Sequence, residues 1–206
     1  MNRIELETRI QNFLNNSIYY DKQAMDDSIQ DGLDEICAFS GCIYKSAQLP
    51  FTQNTTYYDL LELLPDYIGV VAIFNTVTKR WLTPSSLKKF ILDRVDWDTA
   101  YGTPWFFCPI SHRYIAIYQK PSVAGYGNFF IYYRAAAPQL DDTTQIPIPD
   151  EHIVALEDYC TTDLFEQAQE FGKASGGLKT YMENLKKLTV LMRNRRNPDR
   201  YVNLRG

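Results

Sequence analysis

The chain has 206 residues, 25 acidic against 21 basic, for a formal net charge of −4. Apolar residues make up 45% and charged residues 22%, which excludes a disordered or fibrous polypeptide and is enough for one folded core or a core carrying an elaborated insertion. No stretch approaches the roughly 18 uninterrupted apolar residues of a spanning helix, and the N-terminal MNRIELETRIQNFLNN is charged where a secretory signal has its apolar core, so we expect a cytosolic product, neither exported nor bound to a membrane.

Ile4, Leu6, Ile10, Phe13 and Leu14 fall on one helical face and predict a helix over about 3–15. Met25, Ile29, Leu33, Ile36 and Cys37 predict a second over about 23–39, weakened by Gly32 and ended by Gly41. Thr83-Pro84 reads as an N-cap with proline at the first helical position, opening a short helix to about Arg94. The region 43–140 is otherwise strands and turns. Ile68–Phe74 is a β-branched apolar run, Trp105–Cys108 an aromatic one, and Tyr114–Tyr118 and Phe129–Tyr133 are separated by QKPSVAGYGN, which predicts a hairpin with a long loop. Three prolines bar a helix from 138–149. Ile153, Leu156, Tyr159, Cys160, Leu164 and Ala168 then predict a helix over about 150–171, stopped by Gly172. Beyond Ser175-Gly176-Gly177, Leu178, Tyr181, Met182, Leu185, Leu188 and Met192 predict a last helix to about Arg195, packed antiparallel on the previous one.

The expected fold class is therefore α+β, a helical bundle of about four main helices with a β-rich insertion between the N-terminal and C-terminal helix pairs. Residues 1–42 and 141–195 form the helical core, 43–140 the insertion, and 196–206 an extended basic C-terminal arm.

Catalytic chemistry finds little support in the residue pattern. Cys37 and Cys42 stand alone without a second pair, and neither His112 nor His152 joins a cysteine at zinc-ligand spacing, so no metal site is expected. All four cysteines lie in apolar segments, the ordinary place for a small buried hydrophobe in a reducing compartment. The run DDSIQDGLDE fails the calcium-loop pattern at its third and twelfth positions, counted from Asp27. Ser85-x-x-Lys88 lacks the accompanying triplets of acyl enzymes, and Gly172-Lys173 lacks the rest of a phosphate loop. Asp96, Asp98, Asp141 and Asp142 leave open a hydrolase with paired carboxylates, because spacing alone does not show whether two of them converge. No cofactor and no enzyme activity are expected.

Binding chemistry is better represented. From Lys173 to Gly206 nine Lys and Arg face two acids, a net of +7, which leaves −11 on residues 1–172. The basic run continues past the helix in RNRRNPDRYVNLRG, where arginines alternate with Tyr201, Val202 and Leu204. Such a mixture suits a protein interface, with guanidinium groups on carboxylates and apolar residues in pockets, and equally suits phosphate contacts. Fifteen tyrosines, many of them in the β region, add rings whose rigid body and polar tip favour half-buried surfaces.

Tyr58-Asp59-Leu60, Leu64-Pro65-Asp66, Gly102-x-Pro104 before an aromatic strand, Ile117-Tyr118-x-x-Pro121, Ile131-Tyr132-Tyr133-Arg134, and Ile148-Pro149-Asp150 ahead of a long helix occur in that order. The ordered set resembles the head-to-tail adaptor proteins of tailed bacteriophages, also called connector, head-completion or tail tubular ring proteins. The resemblance spans about residues 20–190. It implies a structural protein of the virion, made in the bacterial host cytoplasm, whose copies form a ring, usually a dodecamer, beneath the portal protein. It further implies tail or nozzle proteins on the opposite face and DNA passing through the channel without specific binding. Carried onto this chain, the portal-binding arm would be Arg193, Arg195, Arg196, Arg200, Tyr201, Leu204 and Arg205. Tyr101, Tyr118 and Tyr126 would meet neighbouring subunits or tail components. The alternative from residues alone is a nucleic-acid-binding module acting through the basic arm.

Overall fold

The computed structural model describes residues 1–14, 21–50, 52–93, 96–121 and 128–196. The chain divides into two compact units, Met1–Ile43 with Ala136–Gly206, and Tyr44–Ala135.

In the first unit, helix α1 (Arg3–Phe13) starts at Asn2, whose side chain accepts the Glu5 N–H at 2.9 Å while the Glu5 carboxylate accepts the Asn2 N–H at 3.0 Å. This reciprocal cap satisfies two of the donors that every helix start leaves over. Helix α2 (Lys22–Ser40) stops where Gly41 adopts φ 56° and ψ 48°, a left-handed conformation that costs glycine almost nothing. Leu6 and Ile10 of α1 and Met25, Ile29, Leu33, Ile36 and Cys37 of α2 are buried, as their helical spacing requires.

The strap 136–149 contains no helix and is tied to these two elements by polar groups. The Gln30 amide donates to the Pro138 carbonyl at 3.3 Å and accepts the Leu140 N–H at 3.1 Å. Arg3 donates to the Leu140 carbonyl at 3.3 Å and to Asp142, and pairs with Glu7 at 3.4 Å and Asp26 at 3.6 Å. A 3-10 turn at Asp150–His152 leads into α5 (Ile153–Gln167), and α6 runs from Phe171 to Arg196. Thr162 of α5 faces Gly177 of α6, Tyr159 meets Tyr181 edge-on at 5.3 Å, and the Asn184 amide donates to Asp158 at 2.7 Å. Falling numbers on α5 meet rising numbers on α6, so the two helices run antiparallel.

The second unit carries the strands β1 (Tyr44–Pro50), β2 (Tyr57–Asp59), β3 (Tyr67–Asn75), β4 (Arg80–Trp81), β5 (Thr83–Pro84), β6 (Tyr101–Gly102), β7 (Phe106–Pro109), β8 (Tyr114–Tyr118), β9 (Lys120–Pro121) and β10 (Asn128–Ala135), with short helices α3 (Leu60–Leu63) and α4 (Leu87–Asp93). They form two four-stranded sheets, in the orders β1-β10-β3-β4 and β2-β8-β7-β5, and a two-stranded pair β6-β9. All pairs are antiparallel except β5-β7 and β6-β9. Inward residues Ile73, Phe129, Ile131 and Tyr133 of the first sheet and Tyr58, Phe107, Ile115 and Ile117 of the second are buried. The two sheets touch where the Tyr58 ring meets Phe129 edge-on at 5.8 Å.

These elements correct the expected fold class. The chain is α+β but rich in strands: the described residues form six α-helices and ten strands in three sheets, which is not a bundle of about four main helices with an appended insertion. The expectation undercounted because half of the strands, β2, β4, β5, β6 and β9, are two or three residues long, too short to show a period of two. The expected hairpin of β8 with β10 does not form either. β8 pairs with β2 and β7, β10 with β1 and β3, and the chain passes from one sheet to the other through β9. Thr83-Pro84 is strand and not helix start, since Ser86 accepts the Lys89 N–H at 3.3 Å and α4 begins at Leu87. The break between the last two helices falls at Ala168–Glu170, where Gln169 has φ 61°, so Gly172 and Ser175-Gly176-Gly177 lie inside α6. Gly177 is there for a packing reason, because a Cβ at that position would collide with the Thr162 hydroxyl.

Candidate functional site

Helix α6 places the basic residues of the C-terminal third on a rigid axis. Lys186, Lys187, Val190 and Arg193 are exposed, while Leu185, Leu188 and Met192 on the same turns are buried. Positions 186, 190 and 193 are neighbours at helical spacing, so Val190 supplies an apolar centre between two cations. Lys186, Lys187 and Val190 line an open groove of about 460 Å³ with Leu191, Asn194 and His152 from the foot of α5. Lys187 donates to the Asn184 side chain at 3.0 Å, which also holds Asp158, so the cation is oriented by a small polar network. Exposed cations around an apolar centre fit an acidic protein surface with a hydrophobic anchor.

Of the arm residues expected from sequence, Arg193 is exposed on α6, and Arg195 and Arg196 belong to the last turn of that helix. Arg200, Tyr201, Leu204 and Arg205 lie outside the described residues. Helix α6 thus carries the start of the expected arm on its own axis.

In the second unit, Tyr101 is 57% exposed on β6, with the Lys120 ammonium 5.7 Å from its ring centre. Tyr118 is only 7% exposed and packs on Phe106 at 6.3 Å within a small cluster around Cys108 and Ala116, so its ring faces the interior. Tyr126 lies outside the described residues. The structure does not bring Tyr101 and Tyr118 together on one exposed surface.

Sequence reasoning missed another aromatic surface. Phe130 and Tyr132 of β10, Phe74 of β3 and Trp81 of β4 form a continuous row on the outer face of the first sheet. Centroid distances are 6.2 Å for Phe130–Tyr132, 5.6 Å for Trp81–Tyr132 and 5.1 Å for Phe74–Trp81. The signal was present in Phe130-x-Tyr132, two aromatics on one strand face, but Trp81 joins them only because Asn75 folds the turn. The Asn75 side chain accepts the N–H groups of Val77 and Thr78 at 3.0 and 3.2 Å and returns β4 onto β3.

Asp141 and Asp142 of the expected acids have structural partners. Asp141 accepts from the Thr143 hydroxyl and from the N–H groups of Thr143 and Thr144, and these bonds hold its carboxyl down to about 2. Asp142 is bonded to Arg3. Glu157 lies in a groove of about 170 Å³ between α1 and α5, lined also by Phe13 and Val154, and pairs with Arg9 at 2.8 Å. Burial raises Glu157 despite Arg9, with Asp158 adding to the rise, and burial likewise raises Asp158 against the pull of Asn184 and Lys187. A carboxyl raised in the folded state supports folding below its unfolded value and loses that support as pH climbs through its folded value. Raising pH upward from about 4 is therefore expected to cost stability at these two groups. Asp141 acts oppositely, since its lowered carboxyl favours folding above the ordinary range and ceases to as pH falls toward about 2. Urea midpoints of Glu157→Gln compared with the parent at pH 4 to 7 check the first effect: the variant's profile should fall less steeply with rising pH.

Among the described residues, no three His, Cys, Asp or Glu side chains gather to hold a metal ion, and no helix is long and apolar enough to cross a membrane. No curated protein matches the chain. The SU10 adaptor protein family matches residues 1–203, nearly its whole length, and the chain belongs to that family.

Proposed function

We propose, with membership of the SU10 adaptor protein family as the premise, that this protein is a structural adaptor of a tailed-bacteriophage virion. Its copies form a ring that docks on the portal and links the DNA-filled head to tail or nozzle proteins. The observation that carries the reading is the family match over residues 1–203. The exposed face of Lys186, Lys187, Val190 and Arg193 supports the portal side of it, because in sequence it is followed by the residues assigned to the arm, Arg195, Arg196, Arg200, Tyr201, Leu204 and Arg205. A closed ring needs two unlike, complementary surfaces on each subunit, and a chain with −11 over residues 1–172 and +7 beyond supplies them. An acidic body also suits a channel wall along which DNA slides without adhering. Tyr101 and Tyr126 are assigned to contacts with neighbours or tail proteins.

Mixing the purified protein with portal rings, with and without residues 193–206, tests the assignment. The full chain is expected to decorate the rings and the shortened chain to lose them. In the full chain, Lys186→Glu with Lys187→Glu is expected to weaken binding about tenfold, the sum of two exposed charge contacts. Equal binding by the shortened chain would remove the arm from the interface. Failure of the full chain to bind rings, with steep salt-dependent affinity for DNA instead, would favour the nucleic-acid module.

A further inference from the structure

The spacing of Cys37 and Cys42 fits no metal motif, but the fold brings their two sulfurs together. Cys37 is the fourth residue from the end of α2, Gly41 turns the chain in the left-handed conformation, and the Gly41 N–H bonds the Cys37 carbonyl at 2.8 Å. That turn folds Cys42 back over the helix end and sets its sulfur 3.6 Å from the Cys37 sulfur. The two thiols differ in access, since Cys37 is fully buried and Cys42 is partly exposed. The other two cysteines are arranged otherwise: the Cys108 thiol reaches the Pro109 carbonyl at 3.5 Å and the Cys160 thiol the Ser28 carbonyl at 3.6 Å, both buried.

We propose that Cys37 and Cys42 are a redox-active dithiol that closes, by exchange with a small-molecule disulfide, into an intramolecular disulfide stapling the turn at Gly41. A disulfide needs its sulfurs about 2.05 Å apart, so closure asks the two sulfurs to approach by about 1.5 Å from the 3.6 Å at which they stand. Access decides the order of events. The Cys42 thiolate attacks one sulfur of the oxidant and expels the other half as a thiolate, leaving a mixed disulfide on Cys42. The hydrogen bond with Cys42, together with burial, holds Cys37 protonated until then. Once the Cys42 sulfur is capped, Cys37 attacks it and its proton passes to the second half of the oxidant, which departs as a thiol. The two cysteines together lose two electrons and two protons, and the oxidant's disulfide is reduced to two thiols. A small thiol such as dithiothreitol reverses both steps. The inference is independent of the adaptor reading, since it rests on the helix end alone.

The test uses the full-length reduced protein, oxidised glutathione, and peptide mapping by mass spectrometry after blocking remaining thiols. The expected product is a chain lighter by two hydrogen atoms, with Cys37 linked to Cys42 and with Cys108 and Cys160 blocked only after denaturation. In Cys37→Ala, a substitution that keeps the site apolar, glutathione is expected to remain on Cys42, because the resolving thiol is gone. In Cys42→Ala, Cys37 is expected to stay reduced. Glutathione persisting on Cys42 of the unsubstituted protein, or both thiols remaining open to blocking after exposure, would overturn the proposal. Because the unsubstituted protein gives the decisive reading, a variant that fails to fold does not blur it.

Discussion

Replacing Phe129 by alanine is expected to lower the unfolding free energy by about 3–5 kcal/mol, the range for a buried aromatic whose site cannot collapse. Phe129 is buried on β10, the strand bonded on one side to β1 and on the other to β3, so its backbone cannot shift to fill a void without breaking a ladder. Its ring is also where the first sheet meets the second. Tyr58 approaches it edge-on, and Tyr58 is itself fixed, with its hydroxyl accepting the Thr52 N–H at 3.2 Å and its strand paired to β8. Truncation would thus leave an empty volume between two rigid walls, and a stability of about 5–15 kcal/mol would lose a large share. Phe130, the next residue along, points to the outer face of the same sheet, with its ring tilted 34° against that of Tyr132 at 6.2 Å. Phe130→Ala is expected to cost about 1 kcal/mol or less. Urea unfolding with unchanged slope reads both values. Equal losses at the two neighbours would show that the strand's alternation does not set its inside and outside.

What could be read in the sequence depended on the length of each element and on whether its reason for existing was local. α1 and α2 were legible to within two residues because each repeats its apolar residues over several turns, and Gly41 ends α2 as a glycine should. β3 and β8 announced themselves through IGVVAIF and YIAIY. The boundary between α5 and α6 was misplaced because three glycines beyond residue 171 suggest a loop, while the actual turn uses Gln169, a residue with no turn signal of its own. The glycines of α6 answer to a neighbour across space at Gly177, and no pattern along the chain encodes that. The same limit governs the surfaces. The charge of the last third was visible as composition, but the groove of Lys186, Lys187, Val190 and His152 requires α5 and α6 to be folded back on each other. Tyr118 sits in an alternating strand and reads like its neighbour Tyr114, yet it is enclosed because Phe106 and the cluster around Cys108 cover that side of β8. The aromatic row on the outer sheet needed a turn at Asn75 that puts Trp81 against Phe74.

Two glycines in helices of one unit should respond to alanine in opposite directions. Helix propensity alone favours the substitution at both, by roughly 0.5–1 kcal/mol, because alanine has fewer unfolded conformations to lose. Gly176 of α6 has nothing within 4 Å of the space a Cβ would occupy, so Gly176→Ala is expected to raise stability by that amount. Gly32 of α2 faces α5, where a Cβ would stand 2.5 Å from the Tyr159 ring and 2.8 Å from a Leu156 methyl. Neither neighbour yields easily: Leu156 is fully buried, and the Tyr159 ring is braced by the buried Tyr181, whose hydroxyl donates to Glu35 at 2.8 Å. The strain of overpacking, about 1–3 kcal/mol, should therefore exceed the gain in propensity, and Gly32→Ala is expected to be destabilising. Gly32→Val adds two methyl groups to the same gap and should cost more. Matched urea titrations of the three variants decide it. If Gly32→Ala stabilises as Gly176→Ala does, the close approach of α2 to α5 is not what holds glycine at position 32, and the packing of those two helices must be looser than their distances indicate.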